Sequence, residues 1–200
     1  MRHAVDVTYI WILSIALAYL LGTLPSAHIV SSRKGLDPTK SGSGNPGATN
    51  VLRTIGKRAG VLVLLADAGK GAAAASIGLL IDGHFLGSAC WVSAVVGHIF
   101  PATRRLRGGK GVATGAGGCL ILFPLVAIYC TTAFLLLAKC TKRVSIASIL
   151  TAIAMPLAVA LVGSPRNEVI VAVSVSAMIL IRHQGNLKRL LTGSERSWRN

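Results

Sequence analysis

Two hundred residues leave room for one domain, and 52% of them are hydrophobic while only 14% are charged. With a mean hydropathy of +0.65, that balance excludes an ordinary soluble fold of this size. A net charge of +15 with 5% aromatic residues and no nucleic-acid motif argues against nucleic acid as a partner, so the placement of the charge matters more than its sum.

Val7 to Ser32, the first apolar stretch, lacks Asp, Glu, Lys and Arg and is long enough to cross ~30 Å of hydrocarbon as a helix. Arg2 ahead of it and Pro25, Ser26 and Ala27 within it resemble parts of a signal peptide. The stretch exceeds a signal core of roughly 7 to 15 residues, however, and reads as a retained span. Ala59 to Ile81, the second, is interrupted by Asp67 and Lys70. Charges three apart on a membrane helix pair on one face and avoid lipid, so a structural ion pair is expected there. Gly83 to Thr103 is the third. Gly111 to Ala138 is too long for one ordinary span and carries Pro124 near its middle, which predicts two short helices joined at Phe123-Pro124. Val144 to Pro165 and the short Val169 to Ile181 complete the set. The predicted fold class is an all-α integral membrane protein, one polytopic domain over residues 1–200 with seven transmembrane helices. Five spans are the fallback if Gly111 to Ala138 is a single helix and another short element fails.

With seven crossings, residues 30 to 60, 101 to 110, 139 to 143 and 182 to 200 share one side and carry 6, 4, 3 and 5 basic residues. The opposite side receives Arg2 and Arg166, with Asp6, Asp82 and Glu168, while Lys70 lies within a span. The positive-inside rule makes the basic side cytoplasmic, with the N-terminus outside and the C-terminus inside. Cys90, Cys119, Cys130 and Cys140 are scattered singly, which implies neither a disulfide nor a metal site, and no cofactor is called for. His28, His84 and His98 stand alone in apolar surroundings and read as hydrogen-bonded packing or interface residues rather than ligands.

Three polar islands fall on the basic side. Ser41 to Arg53, SGSGNPGATNVLR, reads as a loop suited to anions: glycines permit tight turns, Ser43, Asn45, Thr49 and Asn50 add donors, and Arg53 offers a planar fork. Arg107 to Thr114, RGGKGVAT, precedes an apolar helix. Unpaired amides at the helix start, Gly108 and Gly109, which let a ligand approach, and the Lys110 ammonium are expected to form a phosphate cradle, although the spacing of a nucleotide P-loop is absent. The third island, from Arg182, holds His183 and Asn186 three apart. Leu187, Leu190 and Leu191 predict a short amphipathic surface helix. Lys188, Arg189, Arg196 and Arg199 read as contacts to lipid headgroups. Arg53, Lys110, Arg182 and His183 together suit two phosphate groups of about −1.5 to −2 each.

These motifs, with GHIFP at 97 to 101 and HQGNLKRLLTGSE at 183 to 195, resemble the acyl-phosphate:glycerol-3-phosphate acyltransferases of the PlsY family over essentially the whole chain. The resemblance implies a seven-span enzyme of the bacterial inner membrane. It would transfer a fatty acyl group from acyl phosphate to glycerol 3-phosphate, yielding 1-acyl-glycerol 3-phosphate and inorganic phosphate, without an obligatory protein partner. It further implies catalytic roles for Ser43, Arg53, Lys110, His183 and Asn186. Substrate or phosphate contacts would fall to Gly44, Asn45, Thr49, Asn50, Gly108, Gly109 and Ser145, and Glu195 would act as a structural clasp. Val144 departs from the Ser or Tyr usual near that position. Two proton acceptors stay open, a substrate oxygen and His183. Acylation of Ser43 ranks last, because no Ser/His/Asp arrangement is readable. A phosphate or organophosphate transporter is the competing class, though neither an inverted repeat nor a charged path through the spans is visible.

Overall fold

A computed structural model describes residues 2–198, with side chains from Val7 onward, so the topology signals of Arg2, Asp6 and Arg199 lie outside the described side chains. Every regular element among the described residues is helical. The expected first span is two helices, α1 (Arg2–Thr23) and α2 (Ser26–Ser32), because Pro25 has no amide hydrogen and the chain turns at Leu24-Pro25. At the break the Leu24 carbonyl accepts from the Ser26 amide at 3.0 Å and from Lys70 Nζ at 3.1 Å. In an apolar setting, a broken backbone is tolerated where a neighbour satisfies it.

The short helix α3 (Ala48–Thr54) precedes α4 (Lys57–Ile99), which has 43 residues. A straight helix of that length would measure ~65 Å, more than twice a bilayer core. Instead α4 breaks at Asp82 (φ −151°, ψ 43°) and Gly83 (φ 70°, ψ −162°), giving limbs at 57–81 and 84–99. The limbs fold back on one another: a Cβ on Gly78 would lie 2.5 Å from the Leu86 carbonyl oxygen. Trp11 Nε1 donates to Asp82 Oδ2 at 2.6 Å and fastens the hairpin tip to α1.

Phe123 separates α5 (Val112–Leu122) from α6 (Pro124–Thr141), at the joint the sequence predicts, with Pro124 at the first position of the second helix. α5 has 11 residues, about 16 Å of helix, short of the ~30 Å of a bilayer core. It is packed within protein: a Cβ on Gly117 would sit 1.9 Å from the Ala68 carbonyl oxygen, and Trp91 Nε1 donates to Gly115 O at 3.1 Å. α7 (Val144–Leu161), α8 (Arg166–Arg182) and α9 (Gln184–Leu191) follow, with α8 and α9 meeting at 55°. By length and composition, four helical stretches suffice to cross a membrane, or five if the bent α8–α9 pair is one span.

The main core joins Trp91, Val95 and Ile99 of the second α4 limb to Phe123, Met155, Val175 and Ile179. Outward faces are also apolar, with Leu13, Leu65, Leu125, Tyr129 and Leu157 exposed, as lipid contact requires and water contact would penalise. Asp67 and Lys70 pair at 2.9 Å inside this packing, each with a buried side chain.

Candidate active site

The first island is a loop only up to Gly47; from Ala48 it is α3, which corrects the expectation of a continuous loop. Gly47 is extended (φ −141°, ψ 166°), as a residue entering a helix is, and Thr49 and Asn50 then share the first turn while Arg53 lies on the next. Asn50 is buried and fully engaged. Its Oδ1 accepts from the Ser43 amide at 2.8 Å, and its Nδ2 donates to the carbonyls of Pro38 and Ser41 at 2.8 and 3.0 Å. The residue thus holds the 38–43 segment in shape, with no remaining amide hydrogen directed to a ligand by this arrangement.

The glycine loop is itself tied down by hydrogen bonds. The amides of Gly108 and Gly109 are not free to cradle an anion, because they donate to Ile99 O and His98 O, both at 3.1 Å. Glycine is required there for close approach: a Cβ would lie 2.0 Å from His98 O at position 108 and 2.2 Å from His98 Nε2 at position 109. The loop is seated on the end of α4, and Arg182 clasps it from the other side by donating to the carbonyls of Gly108 and Gly109 at 3.0 and 3.2 Å. Lys110 follows, and Gly111 (φ 83°) turns the chain into α5.

In the third island, Asn186 accepts from Lys110 Nζ at 2.5 Å and donates to Glu195 Oε1 at 2.6 Å, while Glu195 Oε2 accepts from Arg189 Nε at 2.7 Å. Arg53 donates to the Arg196 carbonyl at 3.2 Å. Trp198 Nε1 donates to Ala138 O at 3.1 Å, holding the tail across the ends of α6 and α7. All three islands therefore meet, although 143 positions separate Arg53 from Arg196.

They line one end of a cavity of about 460 Å³, where Ser43, Asn45, Thr49, Arg53, Lys110 and His183 are found. The other end is apolar, walled by Cys119, Ala127, Cys130, Phe134, Ala152 and Met155 of α5, α6 and α7. Ser145 stands between the two regions; its Oγ and Arg53 Nε are buried without a hydrogen-bond partner among the described residues. A charged, donor-rich head and an oily tail are the shape of an amphiphile's site.

Sequence comparisons agree with that shape. A family model described as Glycerol-3-phosphate acyltransferase matches residues 12–193. The chain belongs to the glycerol-3-phosphate acyltransferase family. Relatives of that name from Clostridioides difficile (strain 630) and Pseudomonas fluorescens are 39% and 44% identical over 193 and 190 residues. Each alignment covers 93% of this chain, with 94% and 98% of the relative. Crystal structures of PlsY, an integral membrane glycerol 3-phosphate acyltransferase, in its glycerol 3-phosphate and lysophosphatidic acid forms superpose with TM-scores of 0.90 and 0.88. Both are 36% identical, with 94% of each chain covered.

Within this acyltransferase the electrostatics of the polar end are set by burial. Burial pushes the Lys110 ammonium down to about 8; Glu195 opposes the shift, and Arg189, Arg182 and Arg53 add to it. Burial alone would raise the Glu195 carboxyl, but Ser145, Asn186 and Arg189 outweigh it and hold the group below the usual carboxylate range. The Ser145 hydroxyl stabilises that charge from nearby without making a hydrogen bond of good geometry. His183 Nδ1 lies 2.8 Å from the Ile179 carbonyl, which has no proton to give, so Nδ1 is the donor and a neutral ring leaves its Nε2 as acceptor.

Three residues exceed the sequence reading. Arg189 and Arg196 border the cavity, and Arg189 is ion-paired, so neither is simply a headgroup contact. His98 has a partner, its Nδ1 lying 3.6 Å from Asp67 Oδ1, and beyond the packing role expected of it, it lines the cavity together with Asp67. Only folding brings position 67 to position 98. His28 and His84 likewise have partners, Arg104 and Glu168.

Proposed function

We propose that this membrane acyltransferase moves a fatty acyl group from acyl phosphate to the sn-1 hydroxyl of glycerol 3-phosphate, releasing 1-acyl-glycerol 3-phosphate and inorganic phosphate. The cavity with one basic end and one oily end carries the reading, since acyl donor and phosphorylated acceptor both fit that division. The relatives described above, all named acyltransferases, give the transporter alternative no support.

In this mechanism the acyl chain lies along Cys119, Phe134 and Met155. The glycerol hydroxyl oxygen attacks the carbonyl carbon, the bond to the phosphoryl oxygen breaks, and phosphate departs with its electron pair. Lys110 and Arg53 disperse charge on the two phosphate groups, and Asn186, held by Glu195, orients the Lys110 ammonium. Ser43, Gly44, Asn45 and Thr49 shape the acceptor side, Asn50 holds their loop, and Gly108 and Gly109 fix Lys110 by their seat on α4. The hydroxyl proton passes to a departing phosphate oxygen, or to His183 Nε2 as the rival acceptor.

The membrane arrangement belongs to the same reading. Dividing α4 at Asp82-Gly83 and counting buried α5 yields seven spans, α1, the two α4 limbs and α5 to α8, forming one polytopic domain. Eighteen basic residues then share the face bearing the site, against two on the other, which supports a cytoplasmic site in the bacterial inner membrane. Purified protein given acyl phosphate and glycerol 3-phosphate should form lysophosphatidate and phosphate in equal amounts; phosphate release without acceptor acylation refutes the proposal. Near-normal turnover of His183→Gln removes His183 as the acceptor.

A further inference from the structure

On the far side of the 43–46 turn lies a second cavity of about 610 Å³, into whose wall Arg104, Arg107, Arg182 and His28 are built. Ser43 and Asn45 line both this cavity and the acyl cavity, so a single turn of chain forms their common partition. No carboxylate lines the second cavity. Asp37, beside it, accepts both the Thr39 amide and the Thr39 hydroxyl, at 2.9 and 2.7 Å, and is 3.8 Å from His28.

The guanidinium groups differ in commitment. Arg182 clasps the glycine loop and Arg104 rests against His28, whereas the Arg107 side chain is exposed and forms no hydrogen bond or ion pair among the described residues. The turn presenting Arg104 and Arg107 contains two consecutive left-handed residues that are not glycine, Arg105 (φ 50°) and Leu106 (φ 61°). Such conformations persist where surrounding structure enforces them, and they cluster at ligand-binding sites. Here Leu106 N donates to Pro101 O, and Arg107 N to Arg104 O, both at 3.0 Å.

We infer that this second cavity is a staging site for small water-soluble phosphate compounds, where a phosphate dianion rests against Arg104 and Arg107 beside the acyl cavity. Its polar walls suit no acyl chain, and three guanidinium groups with no carboxylate among the described lining residues select a dianion. Glycerol 3-phosphate on its way in and orthophosphate on its way out share that chemistry. The inference rests on the proposed reaction, which consumes one and releases the other.

The test is Arg107→Glu, with Arg107→Lys as the conservative control, since residue 107 makes no contact whose loss would unfold the protein. Initial rates are measured at saturating acyl phosphate with glycerol 3-phosphate varied, and again with inorganic phosphate as inhibitor. For Arg107→Glu, the KM for glycerol 3-phosphate, the inhibition constant for phosphate, or both rise about tenfold, while kcat and the KM for acyl phosphate stay within about twofold. Arg107→Lys retains most of the wild-type behaviour. A rise in the first constant alone assigns the site to the incoming acceptor, and in the second alone to the leaving phosphate. The inference is overturned if both stay within twofold, or if the KM for acyl phosphate rises equally. It is also overturned if the defect appears in phosphatidylglycerol nanodiscs but not in phosphatidylcholine ones, which would make the cavity a headgroup site. Should the wild-type protein form no lysophosphatidate, the reaction is wrong; calorimetric titration with inorganic phosphate still tests the cavity, with about tenfold weaker binding by Arg107→Glu expected and equal binding overturning it.

Discussion

Glu195→Gln probes the electrostatic logic of the polar end. Glu195 is linked to Lys110 through one amide side chain, Asn186, with contacts of 2.5 and 2.6 Å. Two charges so bridged, roughly 7 Å apart, interact by about 2 kcal/mol at an effective dielectric near 20, so Gln should depress the Lys110 ammonium by about one pH unit or more. In the wild type that group sits at about 8, lowered chiefly by burial and sustained by Glu195. A lysine with a lowered pKa keeps its charge below that value and loses it above, so wild-type kcat/KM should fall as pH rises through about 8. The variant should begin to fall about one unit lower. The wild-type to variant ratio should consequently grow by about an order of magnitude between pH 6 and pH 9, apart from any constant factor due to lost tail contacts. Both substrates titrate identically for the two proteins, and the ratio cancels them. Initial rates of lysophosphatidate formation across that range decide the matter. A ratio independent of pH would refute the coupling.

Other outcomes follow from the same geometry. Lys110→Met removes the ammonium and should lower kcat/KM about 10²- to 10³-fold, with thermal stability changed little; a loss below fivefold in the same acyl-transfer assay contradicts a role at the reacting phosphate. Asn50→Ala removes three hydrogen bonds, each worth about 1 kcal/mol net, and should lower the melting temperature measurably while raising the KM for glycerol 3-phosphate. Asp67→Asn leaves the Lys70 ammonium buried without its 2.9 Å partner and should cost about 3 to 5 kcal/mol. Adding Lys70→Met should recover much of that stability, measured by thermal unfolding in detergent. Gly109→Ala drives a methyl group toward the His98 ring and should displace Lys110, cutting turnover more than tenfold while substrate-free stability changes less.

The sequence by itself determined the class of fold, because hydrophobic runs without charge have no stable place in water and must form helices in lipid. It also marked residues that meet at one cavity, since Arg53, Lys110, His183 and Asn186 are expensive polar residues at the ends of such runs. The Phe123-Pro124 joint was legible for the same local reason, as proline lacks the donor a helix needs. The division of Val7 to Ser32 at Pro25 had the same signal, yet the second hydrogen bond to the Leu24 carbonyl, from Lys70, depends on a residue 46 positions away. Tertiary structure alone decided that the glycine-loop amides are consumed by the end of α4, that Asn50 supports the loop, and that Asp67 meets His98 where His98 abuts Gly109. Those outcomes depend on which carbonyls and charges meet across helices. Hydropathy and spacing describe one helix at a time and carry no information about the face that a distant helix presents.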